Sequence, residues 1–258
     1  MTEAGVEQNG RRGMGPSIVF DRVSLSLATE PLFDNLSMTF AGGQCTCILG
    51  PSGCGKSTLL KMISGAASPA YQGTIRIEPG TGGNGQIAWM SQNDLLLPWL
   101  SLLDNILLGA KLRGEDSAAL RLQARHLMEK AGLAGYEKAM PASLSGGMRQ
   151  RGALLRTLME ERPVLLMDEP FSALDALTRM KLQNLSGQMT RRATVVLVTH
   201  DPMEALRMGS TILVLSKRPA RVDNIVSLRG TPPRKVDDPE IQAQFSALLE
   251  QLMGGSPA

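Results

Sequence analysis

The chain has 258 residues, 43% hydrophobic and 20% charged, enough apolar material to bury a sizeable core in one large α/β domain. A net charge of +3 and an aromatic content of 3% argue against a basic or base-stacking surface for nucleic acid. No stretch supplies the ~20 mostly apolar residues of a spanning helix, since the richest run, Leu95 to Ala110, is interrupted by Pro98, Asp104 and Asn105.

In chain order, residues 1–15 lack the apolar core of a secretion signal and read as a disordered leader. Ser17 to Leu27 and Leu36 to Phe40 alternate apolar and polar residues, the period of half-buried strands. Cys45 to Leu49 is a short apolar run after a glycine turn, and Lys56 to Gly65 has helical spacing. Thr74 to Glu78 and Gln86 to Met90 read as strands joined by a flexible segment, Pro79 to Gly85. Leu102 to Ala110, Ser117 to Ala131 and Gly146 to Glu160 read as helices and form a helix-rich lobe. Val164 to Met167 and Thr194 to Val198 are compact apolar runs of the kind buried on both faces of a parallel sheet. Asp201 to Met208 and Pro239 to Met253 read as helices. The order predicts a parallel α/β core with an antiparallel N-terminal part and a helical insertion. Cys45-x-Cys47 has no histidine or third cysteine near it except Cys54, so it reads as a pair of strand thiols in a reducing compartment rather than a metal site.

Residues 50–58, Gly50-Pro51-Ser52-Gly53-Cys54-Gly55-Lys56-Ser57-Thr58, match G-x-x-x-x-G-K-[ST] between an expected strand and an expected helix. Glycines let the backbone curl so that several N–H groups point at one anion, and the helix dipole adds positive potential. Lys56 can reach the β- and γ-phosphates of a nucleotide, and the Ser57 hydroxyl can coordinate Mg²⁺. A second element, Val164 to Glu169, is an apolar strand ending in two adjacent carboxylates. Asp168 is placed to hold Mg²⁺ through water and Glu169 to polarise an attacking water as general base. The phosphate loop alone allows a nucleotide kinase or a GTPase, and this second acidic element begins to narrow that choice.

Leu144 to Gln150, LSGGMRQ, narrows the choice. Ser145, Gly146 and Gly147 stand at a helix start, where free N–H groups and a hydroxyl can hold a phosphate. With the two elements above, this run resembles the signature of ATP-binding cassette (ABC) ATPases, a likeness that covers roughly residues 17–225. The resemblance implies a P-loop NTPase (RecA-like) core with an antiparallel β subdomain and an inserted α-helical subdomain at about residues 93–157. The ATPase domain would span residues 16–230, followed by a short helical extension over residues 231–258. It also implies ATP and Mg²⁺ as cofactors, with Ser57, Gln92 and Asp168 on the metal side. Gln92 matches the glutamine that contacts Mg²⁺ and the attacking water. Ser172-Ala173-Leu174-Asp175 matches the loop crossing the dimer interface, and His200 the histidine that senses the γ-phosphate. The Ser145–Gly147 motif would face the nucleotide of a second nucleotide-binding subunit. One departure concerns the base: where the family stacks adenine on an aromatic residue, Val23 to Leu27 offers only Leu27 or a neighbour.

The segment Leu95 to Leu100 follows Gln92 and is open to two readings. One is core packing within the helical lobe, and the other, favoured by the resemblance, is an exposed docking cluster. In the resembling transporters this place receives a short helix of a separate membrane permease. The resemblance is closest to importers of nitrate, sulfonates, taurine and thiamine-precursor pyrimidines, with phrasing that leans toward the last. It implies a peripheral subunit on the cytoplasmic face of the inner membrane, a periplasmic or extracellular solute-binding protein in the same system, and no nucleic acid. The alternative is a soluble ABC ATPase acting on nucleic acid or ribosomes. Such chains usually carry a coiled-coil insertion or a second cassette, and neither pattern occurs in this sequence.

Overall fold

A computed structural model describes residues 14–28, 30–66, 70–79 and 85–252. The expected leader, most of the segment Pro79 to Gly85, and Met253 onward therefore fall largely outside the described residues.

The N-terminal sheet has the order β2-β1-β4, built from β1 (Ser17–Leu27), β2 (Glu30–Phe40) and β4 (Gln72–Glu78), all antiparallel. β2 is longer than the expected Leu36 to Phe40, because Leu32 and Phe33 also turn inward and extend its buried face. The second sheet has the order β5-β6-β7-β3-β8-β9. Its strands are β3 (Cys45–Leu49), β5 (Ile87–Met90), β6 (Val164–Asp168), β7 (Thr194–Val198), β8 (Thr211–Leu215) and β9 (Val222–Ser227). β5, β6, β7, β3 and β8 run parallel, and β9 turns back antiparallel on β8. Residues 216–221 are too few for a crossover, so the last strand forms a hairpin edge.

Alternate residues of the parallel strands feed two cores. Cys47, Leu49, Leu165, Met167, Val195 and Leu197 face one cluster, which also holds most of the buried apolar side chains of the helical lobe. Ile48, Leu166, Val196, Val198 and Leu213 face the other, which includes Leu59 and Leu60 of helix α1 (Lys56–Ser64) and the antiparallel sheet. Burial on both faces is why these strands read as continuous apolar runs.

The lobe holds α2 (Leu102–Ile106), α3 (Leu108–Leu112), α4 (Ala118–Lys130) and α5 (Gly146–Met159). The expected helix Leu102 to Ala110 is in fact α2 and α3, separated at Leu107. Ser117 caps α4 by accepting from Leu120 N–H, and Ser145 caps α5 by accepting from Met148 N–H. Helix α6 (Ala176–Met189) follows β6, α7 (Pro202–Met208) precedes β8, and α8 (Pro239–Leu252) closes the described chain. No described helix is long and apolar enough to cross a membrane.

Candidate functional site

The strand order brings the sequence motifs to one edge. β6, β7 and β3 are neighbours, with Asp168 paired to Val198 and Ile48 paired to Val198. The loop after β3, the carboxylates ending β6 and His200 after β7 therefore emerge side by side at the carboxyl ends of parallel strands, where open α/β sheets bind ligands. β5 pairs with β6 in register, Met90 opposite Met167, so exposed Gln92 leaves the adjacent strand end.

Residues 50–55 link β3 to α1, with φ of +153° at Gly50, +79° at Gly53 and +104° at Gly55. A Cβ at Gly55 would lie 2.7 Å from Phe33 Cζ, so a side chain is refused there by contact as well as by backbone angle. α1 begins without a side-chain cap, which leaves its first N–H groups for a ligand. Lys56 Nζ donates to Gly50 O at 2.7 Å and Pro51 O at 2.9 Å, folding its charge over the loop. Cys54 is buried beneath it, and burial raises its thiol pKa against the opposing pull of Lys56.

Asp168 is buried at 5% exposure, and burial raises its pKa, with Glu169 adding to the rise. A hydrogen bond with the Ser57 side chain and the charge of Lys56 oppose this. The Ser57 hydroxyl and Asp168 carboxylate thus form a pair of hard oxygen donors at the loop, a donor set that suits Mg²⁺. Glu169 Oε1 lies 3.2 Å from His200 Nδ1. The Glu169 side chain is 20% exposed and that of His200 66%, so the pair borders solvent and can meet a bound water.

Ser145, Gly146 and Gly147 do not join this group. Among the described residues no hydrogen bond connects them to residues 50–58, and Ser145 and Gly146 are exposed. Gly147 does approach the turn 172–175, where an added Cβ would lie 3.1 Å from Ala173 O.

Two residues at the site escaped the sequence reading. Gln150, at 7% exposure on α5, donates from Nε2 to Glu169 O at 2.9 Å and Ser172 Oγ at 3.1 Å, and its Oε1 accepts from Ala173 N–H at 2.8 Å. Its signal was its position at the end of LSGGMRQ, read there only as part of the motif. Arg218, in the β8–β9 hairpin, donates from Nε to Gly53 O at 2.7 Å, and its Nη1 lies 3.8 Å from Glu30 Oε2. No local pattern marks it. In the stretch expected to meet adenine, Val23 and Leu25 are buried in the core and Leu27 is 37% exposed.

The segment after Gln92 is strapped to the lobe. Arg156 donates to Leu95 O and Asp94 O at 2.8 Å each, and Arg149 Nε reaches Asp94 Oδ2 at 3.0 Å. Buried Asn105 holds the next turn through Leu97 N–H and the carbonyls of Leu97, Leu100 and Ser101. Leu96 is buried, while Leu95 and Trp99 stand 62% and 69% exposed. The fixed backbone presents two large apolar side chains to solvent, a surface suited to docking.

Comparison with known proteins defines the class. The family model described as ABC transporter matches residues 33–172. The chain is similar to an uncharacterized ABC transporter ATP-binding protein of Haemophilus influenzae, with 39% identity over 90% of this chain and 97% of that protein. It is also similar to an aliphatic sulfonates import ATP-binding protein SsuB of Delftia acidovorans, with 40% identity over 89% of this chain and 91% of that protein. Among solved structures, the dimeric post-hydrolysis state of the ATP-binding cassette MJ0796 bound to ADP and Pi superposes with a TM-score of 0.72. The identity is 29%, covering 83% of this chain and 99% of that one. The chain belongs to the ABC transporter family, as an ATP-hydrolysing subunit.

Proposed function

We propose that this cassette hydrolyses Mg-ATP in a site shared between two copies, and so drives uptake of an aliphatic sulfonate through a separate permease. In this reading residues 16–230 form the ATPase domain, with the lobe of residues 93–157 inserted. Residues 50–58 and Lys56 hold the phosphates. Mg²⁺ would be held by Ser57, Asp168 and Gln92, neutralising charge on the β- and γ-phosphates. Glu169 takes the proton of the attacking water, and His200 holds Glu169 on one side while facing the γ-phosphate on the other. Exposed Ser145 and Gly146, with half-buried Gly147, complete the site of the partner copy, as supported by the dimeric relative. Leu95 and Trp99 dock on the permease, which keeps the subunit peripheral on the cytoplasmic side, with a solute-binding protein delivering cargo. Among the cargoes that the resemblance allows, the names of several relatives favour the sulfonate over the pyrimidine.

The observation that carries hydrolysis is the 3.2 Å pairing of Glu169 with His200 beside the phosphate loop. Glu169→Gln keeps the shape and removes the base, so phosphate release falls by two or more orders of magnitude while ATP binding persists. A wild-type rate in that variant rejects the mechanism.

A further inference from the structure

We propose that Gln150 is a positioning residue for hydrolysis, whose amide holds the Glu169 backbone in the turn that sets its carboxylate against His200. The inference rests on the reading of Glu169 as general base. Glu169 has φ of +49°, a left-handed conformation that a side chain disfavours. Such a backbone persists only where its surroundings over-determine it.

Here the residue is pinned from both sides. Its N–H donates to Val198 O of β7 at 2.9 Å. Its carbonyl accepts from Gln150 Nε2 at 2.9 Å and Ser172 Oγ at 3.1 Å. The other end of the Gln150 amide accepts from Ala173 N–H at 2.8 Å. One buried side chain from α5 thus grips the 169–173 turn at two backbone points and one hydroxyl, shielded from water. The neutral amide is the group that can do this, because it donates and accepts at once without bringing charge next to Glu169 and Asp168. Losing the donor lets residue 169 relax toward ordinary angles, which swings its Cβ and carboxylate away from His200.

The test uses the full chain and phosphate release. Gln150→Ala and Gln150→Glu should each lower kcat about 10- to 100-fold and leave KM for ATP within about twofold. Gln150→Glu keeps the acceptor for Ala173 N–H and loses the donor, so it remains decisive if the alanine variant does not fold. In a Glu169→Gln background, Gln150→Glu should cost nothing further, because its effect acts through the lost base. A wild-type kcat in either folded variant, a loss confined to KM, or a full additional loss in the double variant overturns the proposal. A wild-type rate for Glu169→Gln alone would overturn the base assignment together with it, whereas a dead Glu169→Gln beside an unimpaired Gln150→Glu sinks only the positioning role.

Discussion

The two helix starts proposed to meet a phosphate, those of α1 and α5, differ in nearly everything else. α1 begins at Lys56 on a loop of left-handed glycines wedged against Phe33, with buried Asp168 beneath it and its N–H groups uncapped. α5 begins at Gly146 with an ordinary extended cap, Ser145, already hydrogen-bonded to Met148 N–H, and stands open to solvent. The first has the charge of Lys56 and the carboxylates of Asp168 and Glu169 beside it. The second carries only N–H groups and a hydroxyl, so it can assist a phosphate but cannot hold one alone. In the proposed reading the first end is a site and the second contributes to the site of a partner copy.

Substitutions at the two ends should separate them. Lys56→Ala removes the charge folded over the loop and should weaken ATP binding or turnover by about two to three orders of magnitude, read by phosphate release and nucleotide titration.

The helix that follows His200 makes the stability of the fold sensitive to pH. Glu204 of α7 lies four residues beyond His200, at 4% exposure, and burial pushes its carboxyl up to about 7 while a Thr199 hydrogen bond and Arg179 oppose the rise. Below about pH 4.5 it is protonated in both folded and unfolded chains and costs nothing. As pH rises toward 7 the unfolded chain ionises first, stability is lost, and above 7 the deficit stays constant. Glu204→Gln should therefore stabilise the fold at pH 8 by up to about 3 kcal/mol, with the gain vanishing near pH 4.5, as read by denaturant titration.

The smallest effects contrast the two glycines that open the helices. Gly55→Ala meets Phe33 at 2.7 Å with φ of +104° and should destabilise by about 2 kcal/mol. Gly146→Ala meets only Arg149 Nη2 at 4.0 Å and should be neutral or stabilising by about 0.5 kcal/mol. Equal losses at both positions would remove the distinction between the ends.

The first end was legible because its chemistry is local: glycine spacing, Lys-Ser, and a strand ending in Asp168-Glu169 all lie in short windows. The second was legible as a helix start, but its role came only through resemblance, since no single-chain geometry gives it a phosphate. Other elements escaped for physical reasons. Helix α6 carries a polar sequence with Gly187 inside it, where Pro233 packs so close that a Cβ would lie 2.4 Å from its Cδ; helix propensity there yields to tertiary packing. The apolar run of β8 follows α7 with only Gly209 and Ser210 between them, and β9 alternates poorly because it is a half-exposed edge. Gln150 and Arg218 act across 19 and 165 positions of chain, a distance that no window of sequence displays.

The shared site can be tested directly by mixing two disabled chains. Lys56→Ala keeps an intact α5 start and a dead loop; Ser145→Arg keeps an intact loop and a blocked α5 start. A composite site predicts that each alone is inactive and that an equal mixture recovers about a quarter of the wild-type rate, one good site in half of the dimers. Full hydrolysis by Ser145→Arg alone, or no recovery in mixed dimers that demonstrably form, would contradict it.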